Sequence, residues 1–171
     1  MIPSRLEDWT IAAIERIAAT GPVENDVYDF KTKVPDADTC RAITAAFSNT
    51  RGGFLIFGVD KHRNVVGTDT PETPRNFQNA LAKDFEPSPD YEFAPPIPLA
   101  NGNQVFVAHI RQSKRGPHAV REKEKWVYLE RTAGGTNVSM SPSQTRMAFQ
   151  DAEATQGKLK ILVGEPRAIR E

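Results

Sequence analysis

A run of apolar residues after two glycines constrains the fold of this chain more than any other feature. The run Phe54-Leu55-Ile56-Phe57 is apolar at every position, so a strand here would bury both of its faces. Such a strand lies at the centre of a sheet that helices cover. A helix from about Asp38 to Asn49 is predicted to precede it, and Gly52-Gly53 supply the turn between the two. We therefore expect a fold that contains both helices and sheet.

An earlier strand places acidic and basic side chains together. In Val27 to Lys31, alternation points Asp29 and Lys31 to one face and the aromatic residues to the other, into a core. In metal-dependent nucleases, carboxylates hold a divalent cation against the scissile phosphate, and a nearby lysine orients the attacking water. Glu24 and Asp60 would complete such a cluster. A partly exposed ion pair on a strand edge, with Asp60 opening a turn, explains the same spacing.

These two runs resemble the AlbA-type domain of the Schlafen family. The family pattern is an acid ahead of a Glu-Phe-Lys strand, a helix that leads into Asn-Thr-x-Gly-Gly, a strand ending in Gly-Val-Asp and a following Val-x-Gly. Its elements in this chain are Glu24, Asp29-Phe30-Lys31, Ala45 to Gly53, Gly58-Val59-Asp60 and Val65-Val66-Gly67. The resemblance covers roughly residues 20–150. It implies an α+β (mixed α/β) fold, with a mixed and mostly antiparallel β-sheet flanked by helices.

The resemblance also implies a chemistry. Some family members cut transfer and ribosomal RNA with three acids, and Glu24, Asp29 and Asp60 are the matching positions. By this pattern the three carboxylates are the catalytic groups and the ligands of Mg²⁺ or Mn²⁺, and Lys31 helps to orient water or phosphate. Asp29 replaces the family's usual Glu, which weakens the nuclease interpretation because metal geometry tolerates little displacement. Many bacterial relatives are known only as nucleic-acid binders.

A basic segment supplies the candidate nucleic-acid surface. The chain as a whole has 22 basic and 22 acidic residues, so no overall charge attracts a polyanion. Residues 111–131 instead hold seven Lys and Arg against three Glu, a net of +4. A solvated loop is the simpler explanation of such a run. The residues predicted to contact nucleic acid are Arg51, Arg111, Lys114, Arg115, His118, Arg121 and Arg131.

Turn and capping signals divide the chain into three parts. A capping box at Ser4 and the Gly21-Pro22 pair bound the first helix, and Ser141 caps the last one. The remainder after that helix is predicted to add a short strand or to dock on a neighbour. The three parts are an N-terminal helix at residues 1–20, the AlbA-like domain at residues 21–155 and a C-terminal strand or tail at residues 156–171.

Two apolar stretches are candidate surfaces for a homodimer. The first is the face of the N-terminal helix that carries Leu6, Trp9 and Ala13, for which packing on the domain's own core is the favoured alternative. The second is Ile161-Leu162-Val163. Vertebrate Schlafen nucleases look like two related lobes around one groove, whereas this chain resembles a single lobe. Symmetric pairing of two copies would build a comparable channel.

Composition and motifs argue against several other classes. The single Cys40 and the absence of Cys/His zinc spacing are typical of a reduced, cytoplasmic protein. No apolar run approaches the ~20 residues of a membrane span, so no membrane partner is expected. Arg51-Gly52-Gly53 lacks the glycine-lysine-serine/threonine signature of a phosphate loop, and no nucleotide cofactor is expected.

The function predicted from these features is nucleic-acid binding, with RNA favoured over DNA because the family's cleaving members act on structured RNA such as tRNA. Metal-dependent endoribonuclease activity is an open question at this point. One alternative is a non-catalytic, regulatory DNA-binding domain. A protein-interaction scaffold is another, and it explains the neutral net charge best.

Overall fold

The computed structural model describes residues 1–22 and 25–163, with side chains through residue 158. Within these residues the β-strands form two sheets and α-helices pack against them, which confirms the predicted α+β class. The helices are α1 (Ile11–Thr20), α2 (Ala37–Asn49), α3 (Thr73–Leu81) and α4 (Pro142–Val163). The strands are β1 (Tyr28–Lys31), β2 (Gly53–Phe57), β3 (Phe85–Glu86), β4 (Tyr91–Phe93), β5 (Ile97–Pro98), β6 (Gln104–Ile110), β7 (Ala119–Glu122), β8 (Lys125–Arg131) and β9 (Asn137–Ser139).

The first sheet confirms the central strand predicted from the apolar run. Its strand order is β1-β2-β6-β4, and β5 also pairs with β6. β1 runs parallel to β2, whereas β6 is antiparallel to β2 and β4. Every residue of β2 is buried. One face of the sheet packs on α2 and α3 and the other packs on α1, so the sheet is covered on both sides as expected.

The N-terminal helix begins later than the sequence predicted. Residues Leu6–Asp8 form a short 3₁₀ turn, and α1 starts after Thr10, whose hydroxyl accepts a hydrogen bond from the Ala13 amide at 3.2 Å. Trp9 lies in extended backbone between the 3₁₀ turn and α1. The centre of its ring is 4.9 Å from the centre of the Phe54 ring. Trp9 and Ala13 are buried in the protein's own core. The proposed use of this face for self-association is therefore wrong.

Helix α2 joins the first sheet to the second. The second sheet has the order β3-β7-β8-β9, and its strands pair antiparallel. Val120 and Leu129 of this sheet belong to the same buried cluster as Phe47 of α2. Cys40 is fully buried in that cluster, and burial raises the pKa of its thiol to about 12. Cys40 is therefore a small core residue, and burial suppresses the thiolate form that a nucleophile needs.

The last helix is longer than predicted. α4 runs without interruption to Val163, through the stretch where a short strand was expected and across the predicted domain boundary at residue 155. Lys158, Leu159 and Lys160 are good helix formers, and no neighbouring strand offers them pairing partners in the described structure. Although α4 is long, neither it nor another described helix is apolar enough to cross a membrane. The side chains of residues 161–163 lie outside those described, so their part in self-association stays a prediction.

Candidate nucleic-acid interface

Asp29 lies in a buried ionic cluster. Its side chain is 2% exposed. Lys31 Nζ donates to Oδ1 of Asp29 at 2.7 Å, and Nη2 of Arg131 donates to Oδ2 at 3.3 Å. Tyr28 and Phe30 are buried in the core on the opposite face of the sheet, which confirms the alternation predicted for β1. The Asp29 carboxylate thus neutralises one cation of its own strand and one from β8, which is distant in sequence.

Arg131 is enclosed by protein and does not present its charge to a ligand. It is 4% exposed, although it was predicted to contact nucleic acid. Its Nε donates to the main-chain oxygen of Asn25 at 2.6 Å, and its Nη1 donates to Oδ1 of Asn137 at 3.0 Å. Its guanidinium carbon also lies 4.5 Å from the centre of the Phe47 ring. The prediction that Arg131 contacts nucleic acid is therefore wrong. Arg131 has a structural role and links β8 to β9, to α2 and to the segment before β1.

Asp60 has different surroundings, in a partly exposed turn just beyond β2. Its Oδ1 accepts hydrogen bonds from the main-chain amides of His62 and Asn64 at 2.8 and 2.9 Å. Its Oδ2 accepts a hydrogen bond from Nδ2 of Asn64 at 3.0 Å. These bonds, those from Asn64 foremost, hold the pKa of Asp60 below its ordinary value. The turn that was predicted to follow Asp60 is thus organised by the Asp60 carboxylate.

The structure does not bring Asp29 and Asp60 together. The register of β1 and β2 places Asp29 beside Leu55, whereas Asp60 follows the end of β2. Among the described residues, no group of three His, Cys, Asp or Glu side chains could hold one metal ion. Glu24 lies outside the described residues, so the convergence of all three predicted carboxylates stays a prediction.

The Asn-Thr-x-Gly-Gly motif joins three segments at the C-terminal end of α2. Nδ2 of Asn49 donates to the main-chain oxygens of His118 and Leu129 at 2.9 and 2.8 Å, and its Oδ1 accepts a hydrogen bond from the His118 amide at 2.6 Å. The Thr50 hydroxyl accepts a hydrogen bond from the Arg131 amide at 2.9 Å. Sequence reasoning missed this role. The signal that indicates it is a pair of polar residues at the C-terminal end of a helix whose last turn is buried.

Gly52 allows the strand connections to approach each other closely. Its φ is +72°, in the left-handed region, and a Cβ there would lie 2.6 Å from the main-chain oxygen of Ile110 and 2.9 Å from the amide nitrogen of Gln112. No other residue fits this space without displacing main chain. The glycine is therefore explained by packing between α2, β2 and the loop that follows β6.

That loop, residues 111–115, is the basic loop of this domain and is held in shape by Ser113. The Ser113 amide donates to the main-chain oxygen of Ser48 at 2.8 Å, which ties the loop to α2. The Ser113 hydroxyl donates to the Gly116 oxygen at 2.7 Å and accepts a hydrogen bond from the Arg115 amide at 3.3 Å. These bonds define the main-chain turn on the surface, so less backbone entropy is lost when its side chains bind a ligand.

Lys114 and Arg115 are the accessible cations of the basic loop. Both are exposed, and neither forms an ion pair with a carboxylate among the residues that the structure describes. Arg111 differs, because its guanidinium lies 2.6 Å from Glu92 and 3.9 Å from Asp90. Two recesses of about 290 and 180 Å³ flank the loop, and Lys114 lines both of them. The loop therefore offers positive charge between two concave surfaces.

Most of the chain matches a single protein family. The family model described as Schlafen, AlbA_2 covers residues 24–140. The chain belongs to this family. The match confirms the resemblance drawn from the Asn-Thr-x-Gly-Gly and Gly-Val-Asp motifs.

One sequence relative of this AlbA_2 chain and one solved structure with the same fold are both larger proteins. An uncharacterized ATP-binding protein of Ureaplasma parvum serovar 3 is 31% identical to it over 87 residues, which are 50% of this chain and 23% of that protein. The crystal structure of the DIP2311 protein from Corynebacterium diphtheriae shares its fold with a TM-score of 0.54 at 18% identity, over 82% of this chain and 28% of that one. The chain thus spans about a quarter of the length of each.

His118 of the AlbA_2 domain is buried and cannot act as the surface contact that was predicted. It is 2% exposed, its Nδ1 lies 2.6 Å from the main-chain oxygen of Pro87, and its ring packs edge-on against Phe85. Burial lowers the pKa of His118, so the imidazole is neutral near pH 7. We correct its role to that of a core residue beneath the basic loop.

Arg51 and Arg121, which were also predicted to contact nucleic acid, lie at the surface but have acidic neighbours. Arg51 lies 3.3 Å from Asp26, and Arg121 lies 3.4 Å from Glu124. Exposed pairs of this kind are weak, so either arginine is able to exchange its partner for a phosphate.

A divalent cation does not fit the predicted carboxylates that the structure describes. The two oxygens of Asp29 face the ammonium of Lys31 and the guanidinium of Arg131, so an arriving metal ion would meet positive charge. Asp60 uses both of its oxygens within its own turn. As they stand, these two side chains fit structural roles better than roles as metal ligands.

Proposed function

We propose that this AlbA_2 domain binds nucleic acid, and that Lys114 and Arg115 of the basic loop hold the phosphates. The observation that carries this proposal is the accessibility of these two cations in a neutral protein whose other predicted arginines are paired or buried. Lysine and arginine side chains at the surface bind phosphate by charge-assisted hydrogen bonds. The association of the family with nucleic-acid binding supports the same function.

The shape of the surface supports binding at the basic loop. Ser113 fixes the turn before any ligand arrives, so less conformational entropy is lost when phosphate binds. Arg111 lines the same recess as Lys114 and Arg115, but its guanidinium is paired with Glu92 and must exchange that partner before it binds phosphate. We take RNA as the favoured target, because the family members that cleave nucleic acid act on RNA.

The proposal is tested by the salt dependence of binding. Lys114→Ala/Arg115→Ala should weaken binding and flatten the log–log salt slope by about 1.4 on single-stranded RNA, or about 1.8 on duplex DNA, because each phosphate contact contributes about 0.7 or 0.9. Fluorescence anisotropy with labelled oligonucleotides at several salt concentrations measures both quantities. Arg75→Ala/Lys83→Ala removes the same charge from exposed positions at and just after α3 and is the matched control.

The control variant should keep the wild-type slope, since a general loss of positive charge is not the proposed cause. Equal slopes for both double variants and the wild type would contradict the assignment of the phosphate site to the basic loop. No detectable binding of RNA or DNA at low salt would contradict nucleic-acid binding itself.

Metal-dependent RNA cleavage is the competing proposal. In it, Glu24, Asp29 and Asp60 would hold Mg²⁺ or Mn²⁺ with Lys31 beside them. The contact between Lys31 and Asp29 favours this proposal, and the pairing of Asp29 with Arg131 counts against it. Incubation of structured RNA with the protein and Mn²⁺ separates the two proposals, because binding alone leaves the RNA intact.

A further inference from the structure

An exposed aromatic groove lies on the outer face of the second sheet. Trp126 of β8 is 52% exposed and Phe149 of α4 is 42% exposed, although both are large apolar side chains. They line a groove of about 490 Å³, together with Tyr128 and Arg146. Isolated apolar residues are common on protein surfaces, but aromatic side chains gathered in one groove mark a binding site.

The alternation of β8 explains why these aromatic rings face outward. Val127, Leu129 and Arg131 point toward the core shared with α2. Trp126 and Tyr128 therefore point to the opposite face, where α4 crosses the sheet. Phe149 meets Tyr128 edge-on at 5.8 Å, so α4 forms one wall of the groove and β8 the other.

The charge around the groove suits a polyanion. Among the described residues that line it, Arg146 is the one charged side chain, and no carboxylate takes part. Arg121 of β7 is the cross-strand neighbour of Trp126 on the same face, and its exposed pair with Glu124 is weak enough to be exchanged for a phosphate. An aromatic surface flanked by arginines matches the bases and the phosphates of one strand.

The groove and the end of the basic loop are separated by a single side chain, Phe149. A Cβ added to Gly116, directly after that loop, would lie 3.4 Å from Cδ1 of Phe149, so the Phe149 ring lies against the end of the loop. The same ring lines the groove on its other side. A strand whose phosphates contact Lys114 and Arg115 therefore has a short path over α4 to Trp126.

We propose that this groove stacks the unpaired bases of a single-stranded nucleic acid whose phosphates the basic loop holds. The inference rests on the proposed function and adds the substrate class. Bases in a duplex are stacked on one another and cannot lie on a protein ring, whereas unpaired bases stack on exposed aromatic side chains. The groove thus favours single strands, loops and ends over perfect duplexes.

Tryptophan fluorescence tests the contact directly, because the chain has 2 Trp residues and their surroundings differ. Trp9 is 4% exposed, so Trp126 is the emitter that a ligand can reach. Oligouridine should quench the wild-type emission at the concentrations at which anisotropy shows binding. Trp126→Phe should abolish the quenching while keeping a stacking ring, and a duplex of equal length should not quench the wild type.

Affinity measurements test the energetic part of the proposal. Trp126→Ala should weaken binding of oligouridine by about 5- to 150-fold, the range expected for the loss of one stacked base, and should change duplex binding less than about twofold. Met147→Ala is the matched control, since Met147 is 61% exposed on α4 but does not line the groove. Circular dichroism checks that each variant is folded.

The outcomes separate this inference from the proposed function. If oligouridine binds with unchanged affinity to Trp126→Ala, or binds the wild type without quenching, the groove does not stack bases although nucleic-acid binding stands. If neither single strands nor duplexes bind, the proposed function fails. If the Trp126 emission shifts with protein concentration alone, the groove is occupied by a second copy and the stacking proposal is overturned.

Discussion

Asp29 and Asp60 match two acidic positions of one family pattern, yet the fold gives them opposite surroundings. Asp29 is 2% exposed between Lys31 and Arg131, at the junction of the two sheets. Asp60 is partly exposed and binds only donors of its own turn among those the structure describes. In the first region a carboxylate holds the fold together, and in the second it shapes a loop. A motif thus specifies the type of a residue but not its electrostatic surroundings.

The same contrast divides the basic segment. Its net charge of +4 over residues 111–131 includes Arg131, whose charge is neutralised inside the protein by Asp29. Lys114 and Arg115, in contrast, are exposed on a fixed turn. The charge that a ligand meets is therefore smaller than the sequence suggests and is concentrated in the basic loop.

Asp29→Ala should cause the largest effect of the variants that probe this comparison. It removes a carboxylate partner of the buried Arg131 guanidinium, and breaking a buried ion pair in this way costs about 3–5 kcal/mol of unfolding free energy. Urea denaturation at pH 7 measures the loss. Asp60→Ala is the matched control, because it deletes the same carboxylate from an exposed turn. Equal midpoints for the two variants would contradict the structural role of Asp29.

Asn49→Ala should have the second-largest effect and lower the free energy of unfolding by about 2–3 kcal/mol. The amide satisfies buried main-chain groups of His118 and Leu129, and each buried group left without a partner costs about 1–3 kcal/mol. Asn64→Ala provides the control, since Asn64 is exposed. A wild-type urea midpoint for Asn49→Ala would show that water replaces these bonds and that the motif's Asn does not hold α2 to the second sheet.

The sequence predicted the elements that carry a strong local pattern. The apolar run placed β2 at the centre of a sheet, and the alternation of β1 placed Asp29 and Lys31 on one face. The start of α1 was missed because Trp9 packs on Phe54, a contact between residues far apart in sequence. The end of α4 was missed because an apolar run of a few residues is compatible with either a strand or a helix.

The candidate site was predictable only in part, for a similar reason. Charge density pointed to residues 111–131, and Lys114 and Arg115 lie on the surface as a ligand site requires. Arg131 and His118 could not be distinguished from them, because burial depends on the pairing of β7 with β8 and on the position of α2. The aromatic groove of Trp126 and Phe149 was missed since α4 brings two distant segments together.

Acidification should have a smaller effect than either of these variants, through the two histidines with lowered pKa values. Burial lowers the pKa of His118 and of His109 in the folded state, so the unfolded chain binds protons first as the pH falls below about 6.5. The contribution of the neutral histidines to the free energy of unfolding is therefore complete above about pH 6.5. It is lost as the pH falls from there toward the lowered pKa values of the folded protein. Per pH unit in this window the buried His118 contributes at most about 1.4 kcal/mol, and the partly exposed His109 contributes less because solvent screens its charge.

Urea midpoints at pH 7.5 and 5.5 measure this loss. His118→Gln should reduce the difference between the two midpoints, and His109→Gln should reduce it further because both groups titrate in the same window. A difference that is unchanged in the double variant would assign the acid sensitivity to other groups and would contradict the buried, neutral state inferred for His118.

Asp60→Ala should have the smallest effect on stability and on RNA binding. It is the variant that tests whether Asp29 and Asp60 have different roles. The lowered pKa of Asp60 means that its contribution to stability is present above the unfolded value of about 3.9 and is lost as the pH falls through the folded value. At pH 7 the variant should keep the wild-type affinity for RNA, because the Asp60 carboxylate contacts its own turn and not the basic loop. It should also leave RNA intact with Mn²⁺, as the wild type should.

If the wild type instead cleaves RNA with Mn²⁺ and Asp60→Ala abolishes cleavage without weakening binding, then Asp60 serves a metal site with Glu24 and Asp29. In that case the difference between Asp29 and Asp60 in the free protein is one that RNA and the metal ion remove when they bind.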